Sequence, residues 1–265
     1  MFGRIQVIAA ATIVAICFLG LSWVAPRDPI DWRNVYTPAA LSRYPNESPG
    51  YFPPPWVAAL LAPLAALPAP YDVGALYALS LLALLACVRE PRGFLAVACL
   101  FFGQIDALLL VAFILPSWAA PLLFLGKPQG MAAALLNRLT AKTLFALAAA
   151  LLLSWAVWGA WLAPVVTWQA AENLTFGANM AAFWPWTIPA GIMAAVVGAR
   201  RKDDAWLCLA SLCLSPYFNC HSMLPTVALF TRGAPKGWRA GLPCLLSWGY
   251  ALLVASAFGV LWRRP

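Results

Sequence analysis

Residues 103–128 open Gly103-Gln104-Ile105-Asp106-Ala107-Leu108-Leu109-Leu110-Val111-Ala112-Phe113-Ile114-Leu115, continue through Pro116-Ser117-Trp118, and reach Gly126-Lys127-Pro128 after a second apolar run. The runs are too hydrophobic for a water-facing loop and too short to cross a bilayer. A crossing helix needs about 20 apolar residues, because the hydrocarbon layer is about 30 Å thick and each residue rises about 1.5 Å. An arm such as 94–102 covers only about 14 Å. Arms 94–102 and 105–115, and then 118–125 and 130–136, therefore read as two hairpins of half-helices or strongly tilted helices. They turn at Gly103-Gln104 and Lys127-Pro128. Backbone freed at such turns is tolerated in a membrane only where protein buries it or it lines a watery cavity.

The rest of the chain agrees with a membrane setting. Of 265 residues, 63% are hydrophobic and 10% charged, and the mean hydropathy is +0.80. Soluble chains carry about 25% charged residues, so this one could not cover a water-facing surface of its size. Disorder is excluded too, since it needs low hydrophobicity. The net charge of +8 falls in short clusters between apolar runs and forms no continuous basic face, which argues against a nucleic-acid partner. Those clusters read as topology determinants and lipid contacts. The seven cysteines show no C-x-x-C spacing and read as small hydrophobes.

The whole chain, 1–265, reads as a single all-α integral membrane domain with several spans. Residues 5–24, 144–166 and 242–262 are long enough to cross, and the first is expected to be a retained span rather than a signal peptide. The positive-inside rule puts Arg4, Arg89/Arg92, Arg138/Lys142, Arg200/Arg201/Lys202 and Arg232/Lys236/Arg239 on the cytoplasmic side. Residues 26–53 then form an outer loop in which Arg27, Arg33 and Arg43 balance Asp28, Asp31 and Glu47. Residues 73–88 cross back, leaving 54–67 as a short interfacial helix with Trp56 in the aromatic belt. A second outer loop covers 169–187, with Glu172, and a third turn within the membrane falls at Ser215–His221. This topology leaves Arg263-Arg264 outside, against the rule.

The unusual polar residues converge on the outer side. Asp31 has two compatible readings: general base, or N-cap of a helix over 32–42. Asp106 and Lys127 read either as an ion pair tying two hairpins together or with Lys127 receiving an anionic ligand such as a phosphate. His221, the only histidine, reads as a hydrogen-bonded structural group unless it joins a site. No metal is expected with one histidine and no acidic cluster beside it. No cofactor is expected either, because phosphate-cradling glycine loops and nucleophile elbows are absent from the sequence.

Taken in order, Asp31-Trp32-Arg33-Asn34-Val35-Tyr36 with Ala39-Ala40, Tyr51-Phe52-Pro53-Pro54-Pro55, Gly103-Gln104-Ile105-Asp106, Gly126-Lys127-Pro128-Gln129, and Ser215-Pro216 before His221 resemble the polytopic glycosyltransferases of the C-type fold. The similarity is to the family-87-like, polyprenol-phosphate-mannose-dependent mannosyltransferases of bacteria. It implies a helical bundle with broken or re-entrant helices in the bacterial inner membrane, its active face extracytoplasmic. It also implies a polyprenyl-phosphate-linked sugar donor, mannose-like, and a lipid or glycan acceptor. Asp31 would be the general base of an inverting transfer. Lys127 and His221 would serve the leaving phosphate, His221 as a catalytic group, with Arg43 and Gln104 as further candidates; Asp28 and Tyr36 would complete the substrate site. The chain departs from the family in being shorter than typical members, and Asp28 and Asp31 are not a clean acidic pair. Two other readings stay open: a transporter or flippase of a lipid-linked or anionic substrate, and a non-catalytic subunit of a membrane complex.

Overall fold

The computed structural model describes residues 29–87, 103–163, 180–181 and 183–232, with isolated positions 16, 20 and 249. The expected first and last spans, arm 94–102, Asp28, Arg89, Arg92, Glu172 and Arg263-Arg264 lie outside the described residues. What is described is helical, with no strand among those residues.

Each expected break is present. Gly103 takes a left-handed backbone (φ +64°), and the chain then makes only one short helix, α4 (Asp106–Leu109), before tightening to a 3-10 turn over Leu110–Phe113. After α5 (Ala120–Phe124), Lys127 leaves helical geometry and Pro128 opens α6 (Pro128–Met131), which continues as a 3-10 stretch, Ala132–Arg138. Proline suits this position because a first helical residue has no N–H obligation. In the stretch expected to be an outer loop, a π turn (Trp32–Tyr36) runs into α1 (Thr37–Leu41). Then come α2 (Pro55–Ala65), in the stretch expected to be the interfacial helix, and α3 (Tyr71–Cys87), where a crossing was expected over 73–88. Trp56 is half-buried: its indole N–H donates to Leu122 O at 3.0 Å, and its ring meets Trp161 edge to face.

The helix expected over 144–166 is α7 (Ala141–Trp158). It begins earlier because the Thr140 hydroxyl accepts from Thr143 N at 3.1 Å, an N-cap that hydropathy cannot see. It stops at Gly159, whose φ of +66° combined with ψ of −150° is a backbone essentially confined to glycine. Among the described residues α7 is the one helix long and apolar enough to cross a membrane, by length and composition. Most of its large side chains are exposed, including Phe145, Leu152, Leu153 and Trp155.

Helices α8 (Ile188–Arg201) and α9 (Asp204–Leu214) form an antiparallel hairpin. Gly198 lies against Leu207 and Gly191 against Leu214, close enough that a Cβ on either would collide. Residues 133–138 run antiparallel to α9: Ala133 N donates to Ser211 Oγ at 2.9 Å, and Arg138 forks onto Asp204 at 2.8 and 2.7 Å. This places Arg138 beside the Arg200–Lys202 turn and sends Lys127 toward the far end of α9. A 3-10 turn (Cys220–Met223) and α10 (Leu224–Arg232) bring the chain back. Arg232 comes close enough to the end of α3 for its charge to act on Cys87. The basic ends of these elements thus form one layer, and the starts of α3, α4, α6 and α10 face the other.

Candidate functional site

In that other layer the chain gathers Asp31, Tyr36, Gln104, Asp106, Lys127 and His221. Gln104 is the junction. Its Oε1 accepts from Lys127 Nζ at 2.5 Å and from the Tyr36 hydroxyl at 3.2 Å, while its Nε2 donates to Asp31 Oδ2. Lys127 also donates to Asp106 Oδ2 at 2.5 Å. The ion-pair reading of Asp106 and Lys127 is therefore the one realised. Lys127 is 7% exposed and Asp106 1%, so the ammonium is shut in with its partner rather than offered to an outside anion.

The N-cap reading of Asp31 is corrected. Its own backbone is already helical (φ −72°, ψ −35°), and its side chain makes no cap bond. A cap residue must stand outside helical geometry to reach back to the N2 or N3 amide. The π turn explains where the carboxylate goes instead. Thr37 N–H donates to Trp32 O, five residues back. In an α-helix residues five apart diverge by about 140° around the axis; a backbone closing on the fifth residue stacks them. Asp31 and Tyr36 thereby share one face, and both reach Gln104.

Asp31 is only partly buried, and among the described residues its Oδ1 has no partner. Burial raises its pKa above the usual carboxylate value; the Lys127 charge and the Gln104 hydrogen bond pull it down, and the Asp106 charge adds to the rise. Burial also raises the Tyr36 hydroxyl, keeping it a donor. The arrangement is a partly exposed carboxylate beside a buried polar cluster, destabilised as an anion by burial and steadied by one cation through one amide.

Other expected residues are placed differently. His221 is fully buried, 0% exposed, in the 3-10 turn that Asn219 opens by accepting from Ser222 N. It lies near enough to Lys127 to feel its charge. With no exposed surface of its own, it offers a substrate no direct contact in this arrangement. Arg43 is exposed, over the Tyr44 ring at 5.5 Å, and no described hydrogen bond joins it to the cluster. Among the described residues, no three His, Cys, Asp or Glu side chains come together as a metal site.

Two participants escape a sequence reading. Tyr217 lies within reach of the charges of both Asp31 and Lys127, in the turn tied by Ser215. Asp72, 1% exposed, accepts from Trp32 Nε1 at 2.9 Å and takes both terminal nitrogens of Arg33. A carboxylate in an apolar run was the available signal for Asp72, the same signal that marks Asp106.

Gly103 makes the approach possible. A Cβ there would stand 2.4 Å from Trp32 Cβ and 3.0 Å from Pro29 Cβ, in a left-handed backbone. Gly103→Ala is expected to cost about 2 kcal/mol or more, from the left-handed penalty and the collision together, seen as a lower thermal midpoint of the purified chain. An unchanged midpoint would show that the Trp32–Gly103 packing is not tight.

No family model matches the chain, and neither a curated protein nor a solved structure is significantly similar to it.

Proposed function

We propose that the chain is a polytopic membrane glycosyltransferase that moves a sugar, mannose-like, from a polyprenyl phosphate to a hydroxyl acceptor on the extracytoplasmic face. The observation that carries the reading is Asp31 itself: a half-buried carboxylate with one oxygen held by Gln104 and the other without a partner among the described residues. The acceptor O–H gives its proton to Asp31 Oδ1 as the oxygen bonds to the anomeric carbon. The bond from that carbon to the phosphate oxygen breaks on the opposite face, and the lipid phosphate leaves with the electron pair. Inversion follows from the single displacement. Lys127 acts at one remove, orienting Gln104 and favouring the ionised base. Arg43, exposed on the same outer loop, is open to the donor phosphate.

The test is transfer from a radiolabelled polyprenyl-phosphate sugar by the reconstituted chain, followed against pH. Asp31 must be ionised to act, and its pKa is raised, so activity should climb with pH through an inflection above the ordinary carboxylate range of about 4. The same shift has the opposite sign for stability. The fold binds this proton more tightly than the unfolded chain does, so its contribution favours the fold at acid pH and is lost as pH rises through the folded-state value. Absence of transfer from every polyprenyl-phosphate sugar would overturn the proposal. The transporter reading draws on the same broken helices and on the Asp31–Gln104–Lys127–Asp106 chain of polar groups; substrate accumulation across the membrane without a covalent product would favour it.

A further inference from the structure

Asp72 lies in the first turn of α3, roughly forty residues beyond the outer-loop acid, yet every described bond of its carboxylate goes to the two residues that follow Asp31. Trp32 donates its indole N–H, and Arg33 offers both terminal nitrogens. The carboxylate is sealed, while the Arg33 side chain keeps 24% exposure, so the grip is exerted from inside. Trp32 is fully buried and is pressed from its other side by Gly103. It is also the residue whose carbonyl closes the π turn. Rotation of that turn would carry Asp31 off the Gln104 amide. Three directed bonds from one buried acid leave the turn no such freedom.

We propose that Asp72 is a positioning residue: by holding Trp32 and Arg33 from within the bundle, it fixes the π turn that sets Asp31 against Gln104. Its bearing on catalysis rests on the reading of Asp31 as the base, but its effect on the place of residue 31 does not. Arg33 and Asp72 compensate each other, so the lock leaves the charge balance of the Asp31–Asp106–Lys127 cluster untouched. Asp72 touches no substrate; it decides where the group that does so stands.

The experiment uses the full chain in lipid nanodiscs with Asp31→Cys, and follows labelling by a water-soluble maleimide at the peptide carrying residue 31. Adding Asp72→Asn keeps an acceptor for Trp32 but removes the ion pair, and labelling of the thiol at position 31 should speed up about tenfold, equivalent to about 1.4 kcal/mol. Trp32→Phe, which keeps an aromatic ring and removes the N–H, should speed it by a smaller factor and serves if Asp72→Asn does not fold. Asp204→Asn breaks a comparable pair in the basic layer and should leave the rate within about twofold. Unchanged labelling in the folded Asp72 or Trp32 variants overturns the proposal. So does an equal rise in the Asp204 variant, which would mean general loosening. In chains that retain Asp31, Asp72→Asn should lower kcat while KM stays within about twofold. A chain that transfers no sugar in any form would sink the enzymatic reading while leaving the labelling result to stand.

Discussion

Asp31→Asn is expected to reduce sugar transfer by about two to four orders of magnitude, the usual worth of a positioned general base, with the chain still folded. Asparagine keeps the size of aspartate and an oxygen able to accept from Gln104 Nε2, so the junction at Gln104 survives. What it lacks is a site for the acceptor's proton. Because burial already disfavours the Asp31 anion, a neutral amide there should leave the thermal midpoint equal or slightly raised. Transfer rate and thermal unfolding of the same preparation check both halves. Full activity in Asp31→Asn would end the enzymatic reading. Lost activity with a collapsed midpoint would instead assign Asp31 a structural role.

The second large effect is expected at Lys127. Its ammonium is the cation facing two carboxylates, bonded directly to Asp106 and reaching Asp31 through Gln104. Lys127→Met fills a similar volume but strands Asp106 at 1% exposure. Removing one member of a buried pair costs about 3–5 kcal/mol, because the other charge is left without compensation. A second substitution, Asp106→Asn, removes the stranded charge and should recover more than half of that loss. The double-mutant cycle, read by thermal or denaturant unfolding, measures the coupling. A single Lys127→Met variant as stable as the parent would show that the pair does not hold the two broken segments together. Transfer should fall even in the recovered double variant, since Gln104 loses the donor that orients it.

The places where helices fail were legible in the sequence, and for a clear reason. Gly103-Gln104, Lys127-Pro128 and Ser215–His221 interrupt apolar runs with residues that either abandon helical geometry or cannot continue a hydrogen-bond ladder, which is local information. Asp31, Gln104 and Lys127 were legible as a group because ionisable or amide side chains in apolar surroundings seek one another. The π turn was not. Nothing in Trp32–Tyr36 marks one extra residue per turn; its cause is the tertiary grip of Asp72 and the space left by Gly103. For the same reason the cap reading of Asp31 failed, since it assumed a regular helix beginning at Trp32. Asp72 was hidden by its ordinary place near the start of α3, where an acid is expected on dipole grounds alone. The approach of the His221 turn to α6 depends on Gly130, where a Cβ would come within 2.7 Å of Ser222 O, and chain spacing carries no trace of that approach.

The two charged layers stand close together. At about 1.5 Å per residue, α9 sets Arg138 and Asp204 about 16 Å from the level of Ser215, and α3 separates Asp72 from Cys87 by about 22 Å. Both spans are less than the thickness of an ordinary hydrocarbon core, about 30 Å. A bilayer seated against this body would have to pinch around it, at a cost of a fraction of a kcal/mol for each ångström. On the proposed function, the leaflet in such a pinched collar would sag toward Asp31, and a sugar carried on a long isoprenoid tail would meet the carboxylate without being lifted clear of its own leaflet.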